Sequence, residues 1–287
     1  MEIRNKSNET ILENKQLNEE VKIKDCEDCI IKNCDFTNNK SGQAQLILSN
    51  CKRVTVTGCK FHDKNTKGLF MKIQGAASEG NIVEGCEFFN HTYKPVPGKK
   101  GENAEPMRIG NSDVSGCNFN TKVRRCHFHD NKADVELISI KSCGNVIEDN
   151  KVEDDECMIT IRHGGFNKII NNQFKGHGGI RVLGSGNEIT GNTFKDNDSK
   201  KWVPIAIEFG NAERDPNFTS DNKPKGNKGM SHAMYARIID NVIADNKFEN
   251  CKVKTEIRKK KDRKLSPLNI ISQIARSGSG GGITPST

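Results

Sequence analysis

The chain has 287 residues, of which 33% are hydrophobic and 6% aromatic, and its formal net charge is +8. This length allows a sizeable core, and the composition does not require separate globular domains. The N-terminal residues lack the apolar h-region of a signal peptide, and no apolar run approaches the roughly 18 residues of a membrane span. We therefore expect a protein that is cytoplasmic, released without a leader, or secreted after loss of a leader.

A repeated unit dominates the chain. It consists of a short β-branched run, a small or polar residue, Cys or Asn, any residue, and Phe, and it ends at Phe36, Phe61, Phe88, Phe128, Phe174, Phe194 and Phe248, with Val152 in a variant copy. Most successive copies lie roughly 20 to 27 residues apart, the length of one β-solenoid turn. The pattern predicts an all-β, single-domain β-solenoid with an internal Phe ladder and protruding loops.

The position two residues before Phe holds Cys in the first half of the chain and Asn in the second. A Cys repeated inside a strand motif is typical of a buried, reduced stacking residue rather than of a disulfide framework. Asn tolerates bends and can form hydrogen bonds to neighbouring coils. We therefore predict one ladder position filled in two ways.

Three parts follow in chain order. Residues 1–25 are predicted to be an N-terminal cap, with a short amphipathic helix in ETILENKQLNEEV, and residues 26–252 the β-helix catalytic domain. Residues 253–287 are predicted to be a basic C-terminal cap and flexible tail. Three polar stretches are predicted loops that wall a substrate groove, namely residues 91–105, 195–204 and 210–229.

Two strands carry the candidate chemistry. DVELISIKS (134–142) alternates as a strand, and a bend within such a coil would let its acids and Lys141 converge. CMITIRHGG (157–165) places Arg162 21 residues after Lys141, one coil later. We expect Arg162 directly beside Lys141 at the roughly 4.8 Å strand spacing, where two cations would lower the pKa of the lysine and suit it to proton abstraction.

These blocks, with NAEPMRIG (103–110), GGIRVLGSGNEITGNTF (178–194) and ARIIDNVIADNKFENC (236–251), resemble polysaccharide lyase family six, the alginate lyases and chondroitinase B. The resemblance implies a right-handed parallel β-helix that cleaves a uronate-containing polysaccharide by β-elimination. It implies Lys141 as the base and Arg162 as the acid or charge-stabilising group. It further implies calcium ligands at Asn103, Asp134 and Glu136, and substrate contacts from Arg108, His163 and Arg181.

Two departures and several alternatives stay open. Asp134 stands where the family commonly has Glu, and Pro106 interrupts the Glu-x-x-Arg block. A calcium-independent variant would use a basic side chain to neutralise the substrate carboxylate. Alginate is the expected substrate, with dermatan sulfate or another polyuronate as alternatives, and a non-catalytic glycan-binding solenoid or a hydrolase as other functions. The expected partner is an acidic polysaccharide bound by a monomer, without nucleic acid or membrane.

Overall fold

The computed structural model describes residues 1–94, 103–153, 155–209, 238–259 and 270–271. Within these ranges the chain consists of short parallel strands and one short 3-10 helix, Ser112–Val114. No helix in the described part is long and apolar enough to cross a membrane.

Three parallel sheets form the walls of the molecule, and the chain visits them in turn. Sheet 1 has ten strands, which are Glu2–Arg4, Val21–Lys24, Leu46–Ser49, Met71–Gln74, Met107–Gly110, Glu136–Lys141, Met158–His163, Gly179–Val182, Ile205–Phe209 and Thr255–Lys259. Sheet 2 has nine, which are Thr10–Glu13, Ile30–Lys32, Thr55–Thr57, Ile82–Glu84, Lys122–Arg124, Val146–Glu148, Lys168–Ile170, Glu188–Thr190 and Val242–Ala244.

Sheet 3 also has nine strands, which are Gln16–Leu17, Asp35–Phe36, Lys60–Lys64, Glu87–His91, His127–His129, Lys151–Glu153, Gln173–Lys175, Thr193–Lys195 and Lys247–Glu249. A further parallel pair joins Ile238–Ile239 to Ile270–Ile271. Because consecutive coils stack strand on strand in all three sheets, the predicted parallel β-helix is confirmed.

The core consists of ladders that run along the solenoid. Phe36, Phe61, Phe88 and Phe128 stack with ring centroids 4.6 to 4.8 Å apart. Val152 interrupts the stack in the next coil, as the variant repeat predicted, and it is fully buried. The stacked rings on either side of Val152 and the buried valine between them exclude water, which explains why a chain with few aromatics can form an extended core.

The Cys and Asn residues before each Phe form the predicted second ladder. The amide N–H of Cys34 donates to Sγ of Cys59, and the amide N–H of Cys126 donates to Oδ1 of Asn150 at 2.9 Å. The same bond continues through Asn172, Asn192 and Asn246. All eleven cysteines are free and ten are buried, so the prediction of reduced stacking residues is confirmed.

A second asparagine ladder lies before the strands of sheet 2, and sequence analysis missed it. Its members are Asn81, Asn145, Asn167, Asn187 and Asn241, and each side-chain oxygen accepts from a backbone N–H of the preceding coil. These bonds satisfy buried backbone groups at a corner where no strand ladder continues.

The capping helix expected at the N-terminus is wrong. Thr10–Glu13 and Gln16–Leu17 are strands that pair with the next coil, so residues 2–17 form the first coil of the solenoid. A short amphipathic segment cannot stabilise a helix alone, whereas the adjacent coil offers backbone partners for a strand. The loop expected at residues 210–229 and most of the basic tail lie outside the described residues.

Candidate active site

The candidate site lies on the outward face of sheet 1, where two bulges set its side chains. Glu136 pairs with Met158 and Ile138 pairs with Ile159, so Leu137 is an extra residue. Leu137 and Ile138 are both fully buried in the core. Strict alternation would turn Glu136 inward with Ile138, but the bulge interrupts it, so Glu136 faces outward with Lys141.

The second bulge corrects the expected register between the two candidate catalytic residues. Ile140 pairs with Ile161, but Lys141 pairs with His163, so Arg162 is the extra residue. Arg162 is therefore not directly beside Lys141 as the 21-residue spacing predicted. A β-bulge places two residues opposite one and redirects their side chains. Both Lys141 and Arg162 still line the same groove.

That groove has a volume of about 480 Å³. Its lining includes most of the predicted site residues and several that sequence analysis did not assign, and comprises Asn103, Glu105, Arg108, Lys132, Ala133, Asp134, Val135, Glu136, Lys141, Glu156, Arg162, Lys201 and Trp202. Such a groove is large enough for a few sugar units, and its lining is rich in both charge types. The predicted convergence of the acids with Lys141 is confirmed.

Lys141 is half-buried, and its pKa is lowered from the ordinary value. Burial is the main cause, because desolvation disfavours the ammonium form. Arg108 is the next cause, and Arg162 adds a smaller repulsion, while Glu105 and Glu136 act in the opposite direction. The expected direction of the shift is therefore confirmed, but Arg162 is not its leading cause.

Three carboxylates, those of Glu105, Asp134 and Glu136, also line the groove. Burial raises the pKa of Asp134 to about 6, with further increases from the charges of Glu105 and Glu136. Sequence analysis noted Glu105 only as part of the Glu-x-x-Arg block and assigned it no role. Its position three residues before Arg108 was the available signal, because Nε of Arg108 donates to Oε1 of Glu105 at 2.5 Å.

The guanidinium groups are held by acceptors in the groove. Arg108 is 9% exposed, and it also donates to Oδ1 of Asn103 at 2.7 Å. Arg181 donates to Oε1 of Glu136 at 2.5 Å, and Arg162 reaches the same oxygen at 3.4 Å. Glu136 therefore holds two guanidinium groups from the two following coils, and one of them, Arg162, lines the groove.

Two of the expected substrate contacts do not line the groove. His163 is buried, and its Nε2 lies 3.4 Å from Oγ of Ser112. The bulge next to Lys141 turns His163 toward the 3-10 helix, so direct contact with a sugar is not what the structure shows. Arg181 is absent from the groove lining and positions Glu136 instead.

The loop at residues 195–204 forms part of the groove wall, as predicted. Lys201 and Trp202 both line the groove, and Nζ of Lys201 lies 4.2 Å from the centroid of the Trp202 ring. Trp202 packs in a small separate cluster with Met158, Val203 and Ala206. This packing holds the loop against sheet 1, so the wall has a defined position.

The residues fit a calcium ion by the type of their donors. Asn103, Glu105, Asp134 and Glu136 supply only oxygen, which a hard cation prefers. The raised pKa of Asp134 records the repulsion and burial that a cation would relieve. Oxygens of Asn103 and Glu136 accept from guanidinium groups, so metal binding would require Arg108, Arg162 and Arg181 to yield them.

Comparison with known proteins gives one family. The family model described as Chondroitinase B matches residues 4–269. The fold is similar to that of a mannuronic acid specific polysaccharide family 6 lyase from human gut microbiota, with a TM-score of 0.58 and 21% identity over 86% of this chain and 62% of that chain. The chain thus spans 62% of the length of that structure.

Two other solved structures are also similar. One is an alginate lyase in complex with G6, with a TM-score of 0.59 and 16% identity over 82% of this chain and 67% of that chain. The other is a PL6 family polysaccharide lyase from Pseudopedobacter saltans, with a TM-score of 0.56 and 17% identity over 89% of this chain and 73% of that chain. No curated protein gives a significant sequence match.

Proposed function

Because the chain belongs to the chondroitinase B family, which is polysaccharide lyase family six, we propose that it cleaves a uronate-containing polysaccharide by β-elimination. Alginate is the proposed substrate, and similar solved structures are named as alginate lyases. The observation that carries the proposal is Lys141, a half-buried amine with a lowered pKa that shares a charged groove with Arg108 and Arg162. We also propose that the chain acts as a monomer, with neither nucleic acid nor membrane as a partner.

The proposed reaction needs a base, an electrophilic environment for the uronate carboxylate, and a group near the leaving oxygen. Neutral Lys141 removes the proton at C5, the C4–C5 double bond forms, and the C4–O bond breaks. The charge that develops on the carboxylate during proton loss is stabilised by the fixed guanidinium of Arg108. Arg162 faces the same groove and donates to, or stabilises charge on, the departing oxygen.

Hydrolysis is the competing chemistry, and the groove does not favour it. A glycosidase needs one carboxylic acid and one carboxylate on either side of the bond. Here Asp134, Glu105 and Glu136 lie together, and Glu105 and Glu136 are paired with arginines. The proposed base in the groove is the amine of Lys141 and not a carboxylate, which supports elimination.

The first test is a substrate screen with ultraviolet detection. Elimination creates a conjugated unsaturated uronate that absorbs in the ultraviolet, whereas hydrolysis and binding do not. The protein is mixed with alginate, polymannuronate, polyguluronate and dermatan sulfate, each with and without calcium. We expect an absorbance rise on alginate or one of its homopolymers. No absorbance rise on any of these glycans would contradict the proposed lyase activity. A rise on dermatan sulfate alone would show that dermatan sulfate, and not alginate, is the substrate.

The rate should depend on pH through Lys141. As a base, it acts only when deprotonated, so kcat/KM should rise with pH and level off below the roughly 10.4 of an ordinary lysine. Arg162→Ala removes a positive charge that lowers this pKa, so the rising limb should move to higher pH as the rate falls. Arg124→Ala, on sheet 2, is the control and should leave the limb in place. If Arg162→Ala leaves the rising limb of the pH profile in place, the charge of Arg162 does not lower the pKa of Lys141.

Calcium binding is proposed at Asn103, Asp134 and Glu136, with Glu105 beside them. When bound, calcium would neutralise the substrate carboxylate. Because the pKa of Asp134 is about 6, its ionised form is favoured only above that pH. Because the pKa of Asp134 is higher in the folded state than in the unfolded state, the protonated carboxyl favours folding. This contribution to the free energy of unfolding is fully present below the unfolded pKa and is lost as pH rises through about 6.

We therefore expect calcium to raise the melting temperature of the protein more at about pH 7.5 than at about pH 5. Thermal unfolding with calcium and with a calcium chelator measures this directly and does not depend on turnover. Asp134→Asn should remove the difference between the two pH values. Full lyase activity in chelator, with no calcium shift at either pH, would favour the calcium-independent arrangement in which Arg108 neutralises the carboxylate.

A further inference from the structure

We propose that the outward face of sheet 3 carries a zinc site formed by Glu87, His127 and His129. These residues lie on two adjacent strands, Glu87–His91 and His127–His129, and Glu87 is the direct register partner of His127. Phe128 is fully buried, so the alternation of the strand turns His127 and His129 to the same outward face. The site is separate from the groove, which lies on sheet 1.

The three side chains are already gathered. One ligand atom from each lies within 4.8 Å of the others, and among the described residues no other trio of His, Cys, Asp or Glu is gathered in this way. Nε2 of His129 lies 3.2 Å from Oε1 of Glu87, and the two imidazole rings are 4.5 Å apart at their centroids. Zinc binds such atoms at about 2.0 to 2.2 Å, so small side-chain rotations would bring all three into its coordination sphere.

A second carboxylate orients His129. Oδ2 of Asp130 lies 2.8 Å from Nδ1 of His129, and Glu87 faces the other ring nitrogen. A neutral imidazole has one N–H, so it can donate to only one of these carboxylates. With the proton on Nδ1 toward Asp130, the lone pair of Nε2 points toward Glu87, and a cation between them satisfies both.

The surroundings suit an ion that arrives from solvent. The side chains of His127, His129 and Glu87 are 36%, 22% and 33% exposed, so they are accessible yet restrained by neighbours. Oε2 of Glu153, on the following coil, lies 3.0 Å from Nε2 of His127 and 2.7 Å from Nζ of Lys151, and Nζ of Lys60 lies 3.6 Å from Oε2 of Glu87, so a bound ion would share these carboxylates with two lysines. Two imidazoles and a carboxylate match zinc, in contrast to the oxygen-only set in the groove.

The position suggests a structural effect. Glu87 begins one strand of sheet 3, His127 begins the strand stacked on it, and the chain between them carries Asn103, Glu105 and Arg108 to the groove. An ion held by both strands would join the two coils on either side of that segment. Since it would bind the folded chain and not the unfolded one, zinc should raise the melting temperature.

Calorimetric titration of the untagged, metal-free protein with Zn²⁺ tests the site. We expect one equivalent to bind, and Co²⁺ to give the visible absorption of a four-coordinate nitrogen and oxygen site. His127→Gln and His129→Gln should each abolish stoichiometric binding, and Asp130→Asn should weaken it by about ten-fold. Circular dichroism checks that each variant is folded. Glu87→Gln replaces the carboxylate ligand and keeps both imidazoles.

His62→Gln is the matched control. His62 is on the preceding strand of sheet 3, and its ring nitrogens face Asp35 and Asp63 at 2.6 and 2.8 Å, but it is not part of the gathered trio. This variant should bind zinc as the wild type does. The titration is repeated in Cys251→Ser, because Cys251 is the one cysteine that is not buried. No binding by the wild type, or stoichiometric binding that survives both histidine changes, would overturn the proposal.

Discussion

Replacing Lys141 with alanine should abolish the ultraviolet signal on the polysaccharide substrate, with a loss in kcat of about 1,000-fold or more. Lys141 lines the groove, and its pKa is lowered by burial, by Arg108 and by Arg162. Neither arginine can replace it, because a guanidinium stays protonated at any working pH. Initial rates at saturating substrate measure the loss.

The change should leave folding intact. Burying an amine costs free energy, so its removal should not lower the melting temperature. Lys122→Ala, an exposed lysine on sheet 2, is the matched control and should retain full activity. A Lys141→Ala protein that still eliminates at the wild-type rate would show that another group removes the proton.

The second large effect concerns stability, at Asn172 in the asparagine ladder. Its Oδ1 accepts from the backbone and side-chain N–H groups of Asn150, and its Nδ2 donates to the carbonyls of Ile147 and Ile170 and to Asn192. Asn172→Ala would remove all of these bonds, which link three coils, and would leave the buried amide N–H of Asn150 without its acceptor. We expect a loss of about 3 kcal/mol or more in the free energy of unfolding, measured by urea denaturation.

Two controls separate the ladder from simple volume loss. Asn172→Cys should cost less than Asn172→Ala, because Cys fills the same position in the first half of the solenoid and Sγ of Cys126 donates to the carbonyl of Val83. Gln173→Ala, at an exposed neighbour, should change stability by less than about 0.5 kcal/mol. Equal stability of Asn172→Ala and Gln173→Ala would contradict the role of the ladder.

The repeat predicted the fold because each coil places residues of the same type at the same positions in the core. Phe88 and Phe128 stack since both occupy the same position in their units, whatever the loop between them. The Asn ladder before sheet 2 could also have been found, because Asn145, Asn167 and Asn187 recur 22 and 20 residues apart. The search for units that end in Phe passed over it.

The candidate site could be predicted in composition but not in register. The two blocks with Glu136, Lys141 and Arg162 predicted a shared groove, and the structure confirms it. The bulges at Leu137 and Arg162 could not be read from spacing, because an extra residue in one strand leaves the number of residues per coil nearly unchanged. As a result, His163 was expected in the groove. Arg108 was not expected to be the charged residue that lowers the pKa of Lys141 most.

The account depends on Lys141 removing a proton within a groove that also receives the departing oxygen. Mass spectrometry and proton NMR of the alginate products test this most directly, because they identify the new chain ends. We predict one unsaturated uronate end for every new reducing end. Saturated ends that have gained water, or the absence of any new end while the polysaccharide still binds, would contradict it.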